Sequence, residues 1–126
     1  MTAHRTVRVL TVDDQAIFRR AADDVIAATD GFEAVGEANS GLEAIEAVQR
    51  LGPDLVLLDV RMPGLDGVEV ARRILAGRSD VVVVLISIDE AADLPSAVEL
   101  GAAVTLVRKQ DFGPRMLRRL WTERGA

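Results

Sequence analysis

Cysteine is absent from this 126-residue chain. That excludes a disulfide framework, a thiolate metal site and a cysteine nucleophile. Histidine occurs once, as His4, so a histidine-rich zinc site and a histidine-based triad are excluded too. Aromatic residues make up only 3%, which argues against a base-stacking surface for single-stranded nucleic acid. Basic residues are not in excess: the formal net charge is −5. The footprint of a stand-alone DNA binder is missing, and no direct nucleic-acid binding is expected. The longest apolar run is Val81 to Ser87 with its neighbour Ile88, far short of a membrane span. The N-terminus carries His4, Arg5 and Arg8 but no signal-peptide core. These absences predict a cytoplasmic protein with no membrane partner.

What is present is 49% hydrophobic and 28% charged, the balance of a globular protein with an aliphatic core. The length suits one domain over residues 1–126 and is too short for two ordinary ones. Gly31, Gly52, Gly77, Gly101 and Gly125 recur at 21 to 25 residues, the spacing of helix ends capped by glycine. Between them, β-branched runs alternate with amphipathic stretches, as βα repeats with a parallel sheet require. Strands are predicted at Val7–Val12, weakly at Ala34–Glu37, and at Leu55–Leu58, Val81–Ile86 and Val104–Val107. Continuous apolar runs fit strands covered on both faces, and the weak second strand suits a sheet edge.

Helices are predicted between them. Ile17, Phe18, Ala21, Ala22, Val25 and Ile26 form one stripe. Ser40 with Glu43 is a capping box, followed by an apolar face of Leu42, Ile45, Val48 and Leu51. Further helices are expected at about Val68–Leu75 and Leu94–Leu100, and from Pro114, burying Met116, Leu117, Leu120 and Trp121. Arg115, Arg118, Arg119 and Arg124 read as the solvated face of that last helix.

In open α/β sheets, ligands bind beyond the carboxyl ends of the strands, where strand order switches. Asp13 and Asp14 follow the first strand, Asn39 and Ser40 the second and Asp59 the third. Ser87 follows the fourth, and Arg108 and Lys109 the fifth. Clustered carboxylates repel one another, and a hard divalent cation such as Mg²⁺ relieves the repulsion. A carboxylate can act as a nucleophile and form an aspartyl phosphate. A lysine adds positive charge to the transferring group. Taken singly, each residue has a bland explanation: helix caps for Asp13 and Asp14, turn residues for Asp59 and Met62-Pro63-Gly64. Ser87 alone reads as a loop serine and Lys109 as a solvated lysine. In order, at the ends of successive strands, they form a set complete for phosphoryl transfer to an aspartate.

The Asp13-Asp14 pair, the segment Asp59-Val60-Arg61-Met62-Pro63-Gly64-Leu65-Asp66-Gly67, Ser87 and Lys109 together resemble the receiver domain of bacterial two-component response regulators. The resemblance spans nearly the whole chain and implies a doubly wound (βα)5 sandwich with parallel strands in flavodoxin-like order 2-1-3-4-5. It implies that Asp59 is the phosphoacceptor, taking phosphate from a histidine kinase or phosphotransfer protein. Asp14 and Asp59 would hold Mg²⁺, with Asp13 direct or through water and Arg61 through its backbone carbonyl. Ser87 would be the switch hydroxyl, and Lys109 the partner of the phosphoryl group or of Asp59. Pro63 and Gly64 would shape the loop after Asp59. The expected protein is a stand-alone, chemotaxis-regulator-like phosphoacceptor, monomer or weak homodimer, whose output is binding to a protein partner rather than catalysis on a separate substrate.

Two departures stand out. Leu106 takes the place, three residues before the lysine, where the family usually has an aromatic residue. Spacing from Gly101 puts the family's cation at Arg108, whereas spacing from Ser87 puts it at Lys109. Lys109 is favoured for its compact ammonium, with a one-residue bulge in the last strand to absorb the difference. The alternatives are a phosphate-independent interaction module and a receiver cut from a larger DNA-binding regulator. A phosphatase that also forms an aspartyl phosphate typically has a second aspartate two residues on, where Arg61 stands here. No Gly-x-Gly-x-x-Gly loop supports a dinucleotide site.

Overall fold

Strands form where apolar β-branched runs occur. β1 is Val7–Val12, β2 Phe32–Ala38, β3 Leu55–Asp59, β4 Val82–Ser87 and β5 Val104–Arg108. The helices are α1 (Ala16–Ala27), α2 (Gly41–Leu51), α3 (Gly67–Gly77) and α4 (Pro114–Thr122), with a 3₁₀ turn at Lys109–Asp111. This computed structural model describes residues 6–62, 67–88 and 104–123. The helix expected at Leu94–Leu100, together with Pro63, Gly64, Gly101 and Arg124, lies outside them.

All strands pair in parallel, in the order β2-β1-β3-β4-β5. The order reverses between β1 and β3, so the switch point opens beyond Val12 and Asp59. Side chains alternate between sheet faces and build two apolar layers. Leu10, Val12, Val56, Leu58, Val83 and Leu85 pack with Ala44, Ala47 and Val48 of α2 and Val70, Ala71 and Ile74 of α3. Val9, Leu55, Leu57, Val84, Ile86 and Val107 pack with Ala22 and Ile26 of α1 and Leu117 and Leu120 of α4. A fully buried Leu or Ile contributes about 1.5–3 kcal/mol over an exposed one.

Several expectations need correction. Ile17 is 84% exposed and Leu42 69% exposed. Both sit in the first turn of a helix and face outward, while their neighbours Phe18 and Gly41 turn inward. Small residues carry α2 instead: Gly41, Ala44 and Ala47 are buried with Val48. Met116 and Trp121 are half-buried against the α1–α4 layer, while Leu117 and Leu120 are fully inside it. β2 extends to Phe32 and Ala38 and lies at the edge. The bulge is in β2, where Val9 pairs with Ala34 and Leu10 with Gly36, leaving Val35 extra. β5 pairs with β4 in unbroken register from Val83–Val104 to Ser87–Arg108. Gly52 caps α2 in the left-handed region at φ 59°, and Gly31 has φ 86°. Gly77 is the last residue of α3 with no such φ. Among the described residues, no helix is long and apolar enough to cross a membrane.

Candidate functional site

Strand parity gathers the charged groups. Asp13 continues the alternation of Val9 and Thr11, Asp59 that of Leu55 and Leu57, and Lys109 that of Val107. All three point to the α1–α4 face at the carboxyl rim. Asp13, Asp59 and Ser87 are buried, and Asp14 is exposed. One carboxylate oxygen from each of Asp13, Asp14 and Asp59 lies within 4.8 Å of the others. Lys109 Nζ lies 2.6 Å from Asp13 Oδ2 and 3.4 Å from Asp59 Oδ2.

The loops hold these groups by short bonds. Gln15 N donates to Asp13 Oδ1 at 2.8 Å, so Asp13 also tightens the turn into α1. Arg61 N donates to Asp59 Oδ1 at 3.0 Å, and the Arg61 side chain is exposed. Val60 N donates to Ile86 O, and Gly67 N to Val60 O, both at 2.9 Å. Ser40 is committed to its helix: its Oγ accepts from Glu43 N at 3.2 Å, and Asn39 N donates to Glu43 Oε1. Arg108 turns away from the rim and pairs with Asp111 at 3.2 Å. Lys109, not Arg108, is the cation that reaches the carboxylates. Leu106 has the opposite parity and packs half-buried against the α2–α3 layer.

Burial raises the Asp59 pKa above the ordinary carboxylate value, and the Asp13 charge adds to it. The Arg61 N–H and Lys109 oppose the rise without cancelling it. Burial works against the Lys109 ammonium, but hydrogen bonds and charge from Asp13 and Asp59 outweigh it and raise its pKa. One ammonium among three carboxylates leaves a net negative rim of hard oxygen donors, the donor set that Mg²⁺ takes. The residues present therefore fit a divalent cation.

Some residues around the rim were not legible from sequence spacing. Lys109 Nζ sits 4.7 Å from the centroid of the Phe18 ring, and Phe112 packs against Phe18. Lys109 is also the only lysine in the chain, a compositional signal in its favour. Arg19 joins Asp13 O at 2.6 Å to Glu37 Oε1 at 2.9 Å. Beside it, burial and then Glu37 push Asp23 up to about 6, and Asp23 Oδ1 is buried without a hydrogen-bond partner.

Asp23 gives a prediction of known sign. Its folded pKa lies above its unfolded value, so the folded state binds the extra proton between about 4 and about 6. Stability should fall as pH rises through that window. Asp23→Asn should flatten the fall and stabilise the protein at pH 7 by roughly 1 kcal/mol, the full shift being discounted because the group is partly solvated. Urea midpoints measured from pH 4 to pH 7.5 for both proteins check this; equal slopes would contradict it.

Comparison with known proteins agrees with the fold. A family model for the response regulator receiver domain matches residues 9–119. A protein-glutamate methylesterase/protein-glutamine glutaminase of Myxococcus xanthus is 42% identical over 110 residues, covering 86% of this chain and 32% of that protein. The response regulator GacA of Pseudomonas viridiflava is 39% identical over 98 residues, covering 77% of this chain and 46% of its own. The chain thus spans from about a third to just under half of the length of these curated relatives. Among solved structures, the receiver domain of the response regulator NarL from Mycobacterium tuberculosis superposes with a TM-score of 0.81 at 34% identity, covering 95% of this chain and 99% of that one. The response regulator domain of Thermotoga maritima CheB gives 0.80 at 29%, covering 94% and 96%. The chain belongs to the response regulator receiver domain family of two-component systems, whose general function is phosphorylation on aspartate.

Proposed function

We propose that Asp59 is the phosphoacceptor, that a histidine kinase or phosphotransfer protein is the donor, and that phosphorylation changes binding to a protein partner. The observation that carries this reading is the meeting of three carboxylates and the Lys109 ammonium at the sheet's switch point. A carboxylate oxygen of Asp59 attacks phosphorus while the bond from phosphorus to the donor's imidazole nitrogen breaks. That nitrogen keeps the electron pair. The Arg61 N–H and Lys109 hold the two Asp59 oxygens, so the nucleophile is oriented before the donor arrives. Asp13, Asp14, Asp59 and the Arg61 backbone carbonyl would hold Mg²⁺, which neutralises charge on the transferring group when bound. Ser87, ending β4, would hydrogen-bond a phosphoryl oxygen, with Lys109 as its cationic partner. Residues 1–126 then act as one receiver domain in the cytoplasm, as a monomer or weak homodimer.

The test is intact-protein mass after incubation with acetyl phosphate. The protein should gain one phosphoryl group with Mg²⁺ and none with chelator, and Asp59→Asn should gain none in either. Normal labelling of Asp59→Asn would remove the assignment. Failure of the folded protein to label from acetyl phosphate or any histidine kinase would favour a phosphate-independent interaction module.

A further inference from the structure

Asp13 and Asp59 are not the only groups beside the Lys109 ammonium. Its third neighbour is an aromatic face. Nζ lies 4.7 Å from the Phe18 ring centroid, within the range of a cation–π contact. The Phe18 ring is in turn packed by Phe112, at a centroid distance of 6.4 Å and a tilt of 51°, within the distance range of an aromatic pair. Both rings are half-buried in the α1–α4 layer. Of the chain's three phenylalanines, one lies against its single lysine and a second packs on that first ring.

The three groups come from different places. Phe18 lies in the first turn of α1, just after the Asp13–Asp14 loop. Lys109 follows β5 directly, and Phe112 closes the 3₁₀ turn before α4. Leu106, the residue at the usual aromatic position, packs against the other layer. A displacement of the ammonium therefore meets Phe18 and Phe112 on this face. We infer that Phe18, backed by Phe112, is a positioning residue for the Lys109 ammonium and passes its displacement to α1 and α4. The relay half rests on the phosphoacceptor reading; the positioning half stands on the geometry alone.

Labelling makes the test direct. Isotope-labelled lysine gives one side-chain signal set, and labelled phenylalanine gives three ring signals. The Lys109 methylene signals should be shifted upfield by the Phe18 ring, lose that shift in Phe18→Leu and keep it in Phe18→Tyr. Phosphorylation by acetyl phosphate with Mg²⁺ should slow by roughly two- to thirtyfold in Phe18→Leu, the span a cation–π contact supplies, and stay near wild type in Phe18→Tyr. On phosphorylation the Phe18 and Phe112 signals should move, while that of Phe32, at the opposite end of the sheet, should not. Unshifted Lys109 signals in the wild type, or signals unchanged in Phe18→Leu, would overturn the positioning role. Static Phe18 and Phe112 signals in protein whose mass shows the phosphoryl group would overturn the relay. If the wild type takes no phosphoryl group from acetyl phosphate or from any histidine kinase, the acceptor reading fails, and the Lys109 signals still decide the positioning role. Should Phe18→Leu not fold, Lys109→Met tests the contact from the other side: the Phe18 ring signal must move.

Discussion

Lys109→Met will lose about 3 kcal/mol of stability at neutral pH in the presence of chelator. The side chain is only 12% exposed and its ammonium stands 2.6 Å from a fully buried carboxylate. Removing one partner of such a pair leaves the other charge buried and unpaired, which costs far more than losing an exposed ion pair. Methionine keeps most of the stem's volume, so the loss reports charge rather than a cavity. Two manipulations should return part of it. Mg²⁺ should raise the variant's urea midpoint more than the wild type's, because binding to the folded state adds stability by mass action and the competing ammonium is gone. Lowering the pH should also help. The Asp59 pKa is already raised by burial and Asp13, so its neutral form is favoured by folding. Without Lys109 that preference grows, and stability rises as pH falls towards the ordinary carboxylate range. The wild type has a dependence of the same sign at the alkaline end. The Lys109 pKa is raised, so its contribution is complete below its unfolded value of 10.5 and is lost as pH climbs through the higher folded one. Equal urea midpoints for variant and wild type, with and without Mg²⁺, would mean that water already screens the pair.

The same lysine shows what the sequence could and could not tell. Strand order and the carboxyl-end rim were legible because buried parallel strands are written as continuous apolar runs, and the chemistry follows each run directly. Asp13, Asp59 and Ser87 could be placed by that rule alone. Counting residues left Arg108 and Lys109 level, and only the chemistry of a compact ammonium favoured Lys109. β5 runs in unbroken register from Val104 to Arg108, so the expected bulge is not there. Parity then gives Lys109 to the rim and leaves Arg108 to Asp111. Ile17 and Leu42 misled for a different reason. Helical periodicity identifies a face, but it does not say which residue at the margin of that face turns inward: Ile17 is exposed while Phe18 beside it packs against the α1–α4 layer. The Phe18–Lys109 contact joins opposite ends of the chain, and no local pattern encodes it.

Gly67→Ala is expected to combine a loss of about 2 kcal/mol in stability with a large loss of phosphorylation. A Cβ at Gly67 would stand 2.5 Å from Asp59 O, 2.7 Å from Val60 Cα and 3.0 Å from Val60 O. All three are backbone atoms of the segment that carries the acceptor, so no side-chain rotation relieves the overlap. Alanine's helix propensity returns at most about 1 kcal/mol at the start of α3, less than the overpacking costs. The relaxation must push Asp59 and Val60 away from α3 or break the Gly67 N to Val60 O bond of 2.9 Å. Either movement shifts the Asp59 carboxylate relative to Asp13 and Lys109, and a misplacement near 1 Å can cost about a hundredfold in rate. Acetyl phosphate labelling should therefore fall by at least about tenfold in folded Gly67→Ala. Gly77→Ala is the control within the same helix. A Cβ there meets nothing within 4 Å, and Gly77 is not in the left-handed region. It should leave stability unchanged or raise it by up to about 1 kcal/mol, with labelling at the wild-type rate. If Gly67→Ala matches Gly77→Ala in urea midpoint and labelling rate, the close approach of α3 to the Asp59 backbone has no part in holding the acceptor.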